Sequence, residues 1–153
     1  MRYVVVRWES NGYWLDPRPY LATLPDIGAQ LPPGARAFAL DPSHFDFYAH
    51  RCVKDLRFQS LLLDGSGTRL LLTLAPNISK HHEGLLVEYD GVVEVRASRT
   101  SPEESGLGSV LLDELLPTAT GGVQHEVALT GGSLLIECSD LTASWRSAEG
   151  LRQ

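Results

Sequence analysis

The chain has 153 residues, of which 43% are hydrophobic and 21% charged, with a formal charge of −6. This is the length and composition of one folded domain spanning 1–153, which excludes extensive disorder and makes stabilising disulfides or metals unnecessary. Between Ser101 and Trp145 there is no Lys or Arg, while Glu103, Glu104, Asp113, Glu114, Glu126, Glu137 and Asp140 supply seven carboxylates, so that third is unsuited to nucleic acid, whose phosphates need cations on the protein.

Tyr3 to Trp8 is rich in β-branched and aromatic residues and stops at Ser10-Asn11-Gly12, which predicts a strand and a turn. Arg7 cuts this apolar run far short of a secretory signal. No run elsewhere is long enough to span a bilayer, so the expected setting is the cytoplasm, with no membrane partner. Pro17, Pro19, Pro25, Pro32 and Pro33 argue against a long helix or central strand over residues 13 to 34, leaving one or two helical turns around Leu21 to Gln30. Ala35 to Leu40 reads as a short strand closed by Asp41-Pro42.

Leu56, Phe58 and Leu62 share one face of a strand from Lys54 to Leu63, and Leu70, Leu72 and Leu74 share one face of its return, Arg69 to Ala75, across the Asp64–Gly67 turn. Leu85 to Tyr89 alternates in the same way, and Asp90-Gly91 predicts a two-residue hairpin into Val92 to Ala97. Residues 98 to 108 should be an exposed loop. Val110 to Leu116 fits a short helix or a buried strand, with strand favoured by its neighbours. Val123 to Thr130 and Ser133 to Cys138 flank Gly131-Gly132 as a further hairpin, and Leu141, Ala143 and Trp145 suggest a last strand. The expected fold is mainly β, an antiparallel sandwich or partly open barrel built from hairpins, with little helix.

If Gly131-Gly132 is the turn, His125 lies opposite Cys138, and directly opposed side chains have Cβ atoms about 4.5–5.5 Å apart. Imidazole beside thiol is the core of a thiol nucleophile, although both residues sit on the apolar face, where a packed histidine and a buried thiol are the plainer expectation. His81-His82-Glu83 has neighbouring imidazoles on opposite sides and no further ligands at metal spacing, so a polar loop is expected. Asp41, His44 and Asp46 fit a capped turn. Asp113-Glu114 puts one carboxylate inward and one outward, and the glycine pairs lack the context of a phosphate loop. No metal or cofactor is expected.

The succession Phe45-Asp46-Phe47, Cys52 to Leu56, Tyr89 to Val92, Leu111 to Pro117, His125 to Leu129 and Asp140-Leu141 with Trp145 resembles an uncharacterised family of small bacterial β proteins. More loosely, it is similar to the immunity proteins of polymorphic toxin systems. That resemblance covers roughly residues 36 to 146 and implies a binding role with no catalytic residue. The expected function is a non-enzymatic protein-binding module, of the immunity-inhibitor type, docking a basic partner on an acidic face made by Glu103, Glu104, Glu114 and Glu126. The alternatives are a β domain that binds a small molecule, and an enzyme using His125 and Cys138. Assembly into a homodimer through an exposed strand edge is compatible with each.

Overall fold

A computed structural model describes residues 1–100 and 106–152; Glu103 and Glu104 lie outside the described residues. The elements run β1 (Val5–Glu9), β2 (Gly12–Asp16), α1 (Arg18–Gln30), α2 (Pro33–Ala39), β3 (Arg57–Leu63), β4 (Arg69–Ala75), β5 (Gly84–Asp90), β6 (Glu94–Arg99), β7 (Val110–Pro117), β8 (Val123–Leu129), β9 (Gly132–Cys138) and β10 (Asp140–Arg146), followed by one 3-10 turn. Two antiparallel four-stranded sheets form a sandwich. The first has the order β10-β5-β4-β3, the second β6-β9-β8-β7, and β1-β2 is a separate hairpin.

Alternation builds the core. Leu70, Leu72 and Leu74 on β4 and Leu85, Val87 and Tyr89 on β5 face Val127, Leu129, Leu134 and Ile136 of the second sheet, all nearly free of solvent. The sheets are joined at one corner by two strands that change sheet. β5 continues into β6 through Asp90-Gly91, and β9 continues into β10 through Ser139. Asp90-Gly91 is therefore not the expected hairpin, since β5 pairs with β4 and β10 while β6 pairs with β9. Gly91 has a φ of +64°, and a Cβ there would run into the Ser139 side chain. Its glycine chemistry turns the chain from one sheet to the other beside the second crossing strand. At the opposite corner β3 touches the start of β7 through a single Arg57–Ser109 bridge, so the sandwich does not close into a barrel.

The amino-terminal third departs most from expectation. The segment expected as a strand from Ala35 to Leu40 is helix up to Ala39: Pro33 opens α2, and Ala35, Phe38 and Ala39 bury at helical spacing. Helix α1 runs thirteen residues, with Pro19 in its first turn, where no amide partner is needed, and Pro25 inside. Arg36 caps its end by donating to the Gly28 and Leu31 carbonyls, both at 2.8 Å. The helices cover two sheet edges. The Tyr20 hydroxyl donates to the Leu115 carbonyl of β7 (2.7 Å), and α2 lies against β10 with the Gly34 and Ala35 amides donating to the Asp140 carboxylate. The β1-β2 hairpin, whose second strand falls within the proline-rich region, reaches the β8-β9 turn, where the Tyr13 hydroxyl approaches the Thr130 carbonyl. Val110 to Leu116 is strand, as its neighbours suggested, and residues 140 to 146 form the last strand.

Candidate functional site

The expected His125–Cys138 opposition is replaced by a register two residues away. Leu129 pairs with Gly132, so the turn is Thr130-Gly131; His125 stands opposite Ile136, and Cys138 opposite Val123. The glycines serve close approach instead of forming the turn together. A Cβ on Gly132 would lie 2.0 Å from the Ser98 carbonyl oxygen, and one on Gly131 would lie 2.7 Å from that of Gly106. A shift of two keeps both side chains on the inner face. Cys138 is buried, and its Sγ donates to the Asp140 carbonyl (3.3 Å). Burial, followed by the nearby Asp140 and Asp90 charges, pushes its thiol up to about 12, a direction opposite to that of an activated nucleophile.

His125 instead belongs to a buried chain of four side chains from four segments. Tyr89 of β5 places its hydroxyl 2.7 Å from His125 Nδ1. His125 Nε2 lies 2.8 Å from Asp113 Oδ2 on β7, Asp113 Oδ1 lies 2.7 Å from His44 Nε2, and His44 Nδ1 lies 2.9 Å from the Phe38 carbonyl at the end of α2. The partners assign the protons. Both nitrogens of His44 face groups that can only accept, a carbonyl and a carboxylate, so both must donate and His44 is an imidazolium. Tyr89 donates to His125 Nδ1, which leaves Nε2–H to donate to Asp113.

Burial by itself would lower the His44 pKa, but the Asp113 charge and hydrogen bonds outweigh it, and the net direction is upward from 6.5. Burial would raise Asp113, yet the charge of His44 and the bonds from both histidines hold it well below the usual carboxylate range. Burial, with the charges of Cys138 and Asp113, raises the Tyr89 hydroxyl well above 10. These groups are at most 2% exposed. A substrate cannot reach them without opening the sandwich; the His44–Asp113 ion pair ties the irregular residues 41–56 to the second sheet, and His125 carries the chain on to Tyr89 of the first.

The same segment is held a second time through the residues that suggested a metal. His81 is buried, with Nε2 donating to the Cys52 carbonyl (2.8 Å) and Nδ1 accepting from the Asn77 amide. His82 stacks on His50, and Arg51 pairs with Glu83. Among the described residues no group of three or more His, Cys, Asp or Glu is arranged to hold a metal ion.

The acidic residues separate into different roles. Glu114 and Glu126 are directly opposed on the outer face of the second sheet, yet Glu114 is only 2% exposed. Its carboxylate accepts the backbone amides of Arg2, Tyr3 and Val4 at 2.7–2.8 Å and ties the amino-terminal segment to β7. Glu126 lies 2.7 Å from the Met1 ammonium, an ionic approach without the angles of a hydrogen bond. Glu137 comes next across the sheet, opposite Gln124 on one side and Glu94 on the other.

Glu126, Glu137, Gln124, Arg2 and Gln30 line a cleft of about 700 Å³ on this face. The more apolar hollow beside Leu62 and Leu71 holds about 240 Å³, short of the ~300 Å³ at which small-molecule pockets begin. Among the described residues no helix is long and apolar enough to cross a membrane. No protein-family model and no curated protein matches the chain.

Tyr89 and the joining of His44 to Asp113 escaped sequence reasoning. His44 reads locally as part of a capped turn with Asp41 and Asp46, and Asp113 as half of a carboxylate pair with Glu114; the two are 69 positions apart, and nothing local brings them together.

Proposed function

We propose that the protein is a non-enzymatic binding module that receives a basic side chain of a protein partner in the cleft on the outer face of the second sheet. Glu137 carries this reading. It is opposed across the ladder by Glu94 and lies diagonally beside Glu126, and like charges at such positions repel. Glu114 is occupied by three amides, Glu126 by the Met1 ammonium and Glu94 by Arg96. Glu137 has no ion-pair partner among the described residues. A guanidinium or ammonium entering the cleft would relieve the repulsion and meet Gln124 and Gln30 at its walls. An immunity-type inhibitor, which neutralises a basic toxin surface, would use a face of this kind. Glu114 is left out of this site, because its carboxylate accepts three backbone amides.

Titration of the full chain with a short arginine-rich peptide, followed by amide NMR, tests this. Shifts should concentrate at Arg2, Gln124, Glu126 and Glu137, weaken with added salt, and require a several-fold higher peptide concentration in Glu137→Gln. Shifts scattered over all surface carboxylates, or an unchanged titration in Glu137→Gln, would defeat the proposal.

A further inference from the structure

Four strand edges border the two sheets, and three are defended. The β7 edge carries the Tyr20 hydroxyl on both backbone groups of Leu115, and β10 lies against α2. β6 presents Glu94, Arg96 and Arg99, charges that discourage pairing. β3 differs. From Gln59 to Leu63 it has neither a charge nor a proline, and among the described residues nothing pairs with this stretch on the side away from β4. The Asp64 amide donates to the Arg69 carbonyl across the hairpin (2.9 Å). Alternation then assigns Leu62 and Ser60 to bonding with β4, while Leu61 and Leu63 aim their N–H and C=O outward. Beside these free groups Leu62, Leu63 and Leu71 are 61%, 54% and 37% exposed.

We propose that this edge is the interface of a homodimer, with β3 of two copies paired antiparallel about a two-fold axis through Leu62. Parity restricts the register, because outward groups must meet outward groups. With Leu62 on the axis, Leu61 of each copy bonds Leu63 of the other, giving four backbone hydrogen bonds. Centring on Leu61 or Leu63 leaves that leucine as the single central bonded pair and pushes the next bonded pairs to Gln59, at the irregularity between Phe58 and Ser60, or into the Asp64–Gly67 turn. In the proposed register Asp64 meets Ser60 of the second copy, just past Phe58, whose amide is already taken by the Gly108 carbonyl.

The two four-stranded sheets merge into one. Leu71 and Leu62, which are cross-strand partners, continue into the same pair of the second copy on the outer face, and Leu61 meets Leu63 on the inner face. The edge is self-complementary: the leucines each copy exposes are those the other covers.

Sedimentation equilibrium of the full chain should show a mass rising with concentration from 16.8 kDa to twice that value. Leu62→Lys, at an exposed position, should keep the circular dichroism of the parent and remain monomeric. Leu62→Cys tests the register. On the axis the non-hydrogen-bonded pair brings the two Cβ atoms within bridging reach, so mild oxidation should give a covalent dimer, while Ser60→Cys should stay uncrosslinked. Cys52 and Cys138 are buried and do not compete. A parent that is monomeric at every concentration would overturn the proposal, as would a dimer untouched by Leu62→Lys or equal crosslinking at position 60.

Discussion

Replacing Asp113 separates what its charge does from what its hydrogen bonds do. In Asp113→Ala, the Nε2–H groups of His44 and His125 lose the carboxylate that accepts from both, at bonds of 2.7 and 2.8 Å. Leaving one member of a buried ion pair without its partner costs about 3–5 kcal/mol, a large fraction of the ~5–15 kcal/mol that holds a domain folded. Asp113→Asn should be milder for a definite reason. The amide oxygen can accept from His125, and the amide nitrogen can donate to a neutral His44 whose Nδ1–H still serves the Phe38 carbonyl. Every hydrogen bond survives, at the cost of one proton on His44.

Urea unfolding at neutral pH measures both variants. The sign of the pH dependence follows from the directions of the shifts. His44 is raised, so its contribution is complete below its ordinary 6.5 and is lost as pH rises through the folded value. Asp113 is lowered, so its contribution is complete above its ordinary 3.8 and is lost as pH falls through the folded value. The advantage of the parent over Asp113→Asn should therefore narrow on the alkaline side. Nitrogen NMR should show His44 carrying two ring protons above pH 6.5. A loss below about 1 kcal/mol in Asp113→Ala, or a neutral His44 at pH 6, would refute the assignment.

Two further outcomes follow from single contacts. Glu114→Ala should release the amides of Arg2, Tyr3 and Val4, each held by a charged acceptor worth about 1.5–3 kcal/mol, and speed their hydrogen exchange by about ten- to hundredfold; unchanged exchange would show that another group anchors the segment. Cys138, with its thiol pushed up to about 12 by burial and nearby carboxylates, should resist iodoacetamide at pH 8 until the protein is unfolded, and prompt labelling of the folded chain would contradict its placement.

The buried ion pair and the acidic cleft lie on opposite faces of the second sheet. Asp113 points inward and pairs with His44 and His125, while its neighbour Glu114 points outward and holds the amino-terminal segment. One dipeptide thus fastens two layers to β7. Reversing the charge at Glu114 is therefore a poor probe of the proposed partner binding: it would detach the segment that forms one wall of the cleft.

In the central strands alternation by itself determined the element: the leucines of β4, the apolar positions of β5 and the Val-His-Val-Leu face of β8 declare both the strand and its inner side. Tertiary structure decided what period and turn chemistry leave open. Pro33 can interrupt a strand or open a helix, and α2 forms because Ala35, Phe38 and Ala39 find apolar surface to bury against. Gly91 and Gly132 looked like turn residues, but their missing Cβ atoms make room for Ser139 and for the Ser98 carbonyl, approaches made only once the strands have crossed. The union of His44, Asp113, His125 and Tyr89 is the clearest case. Each residue is unremarkable in its own segment, and only the meeting of the two sheets and α2 gives the carboxylate its two histidines.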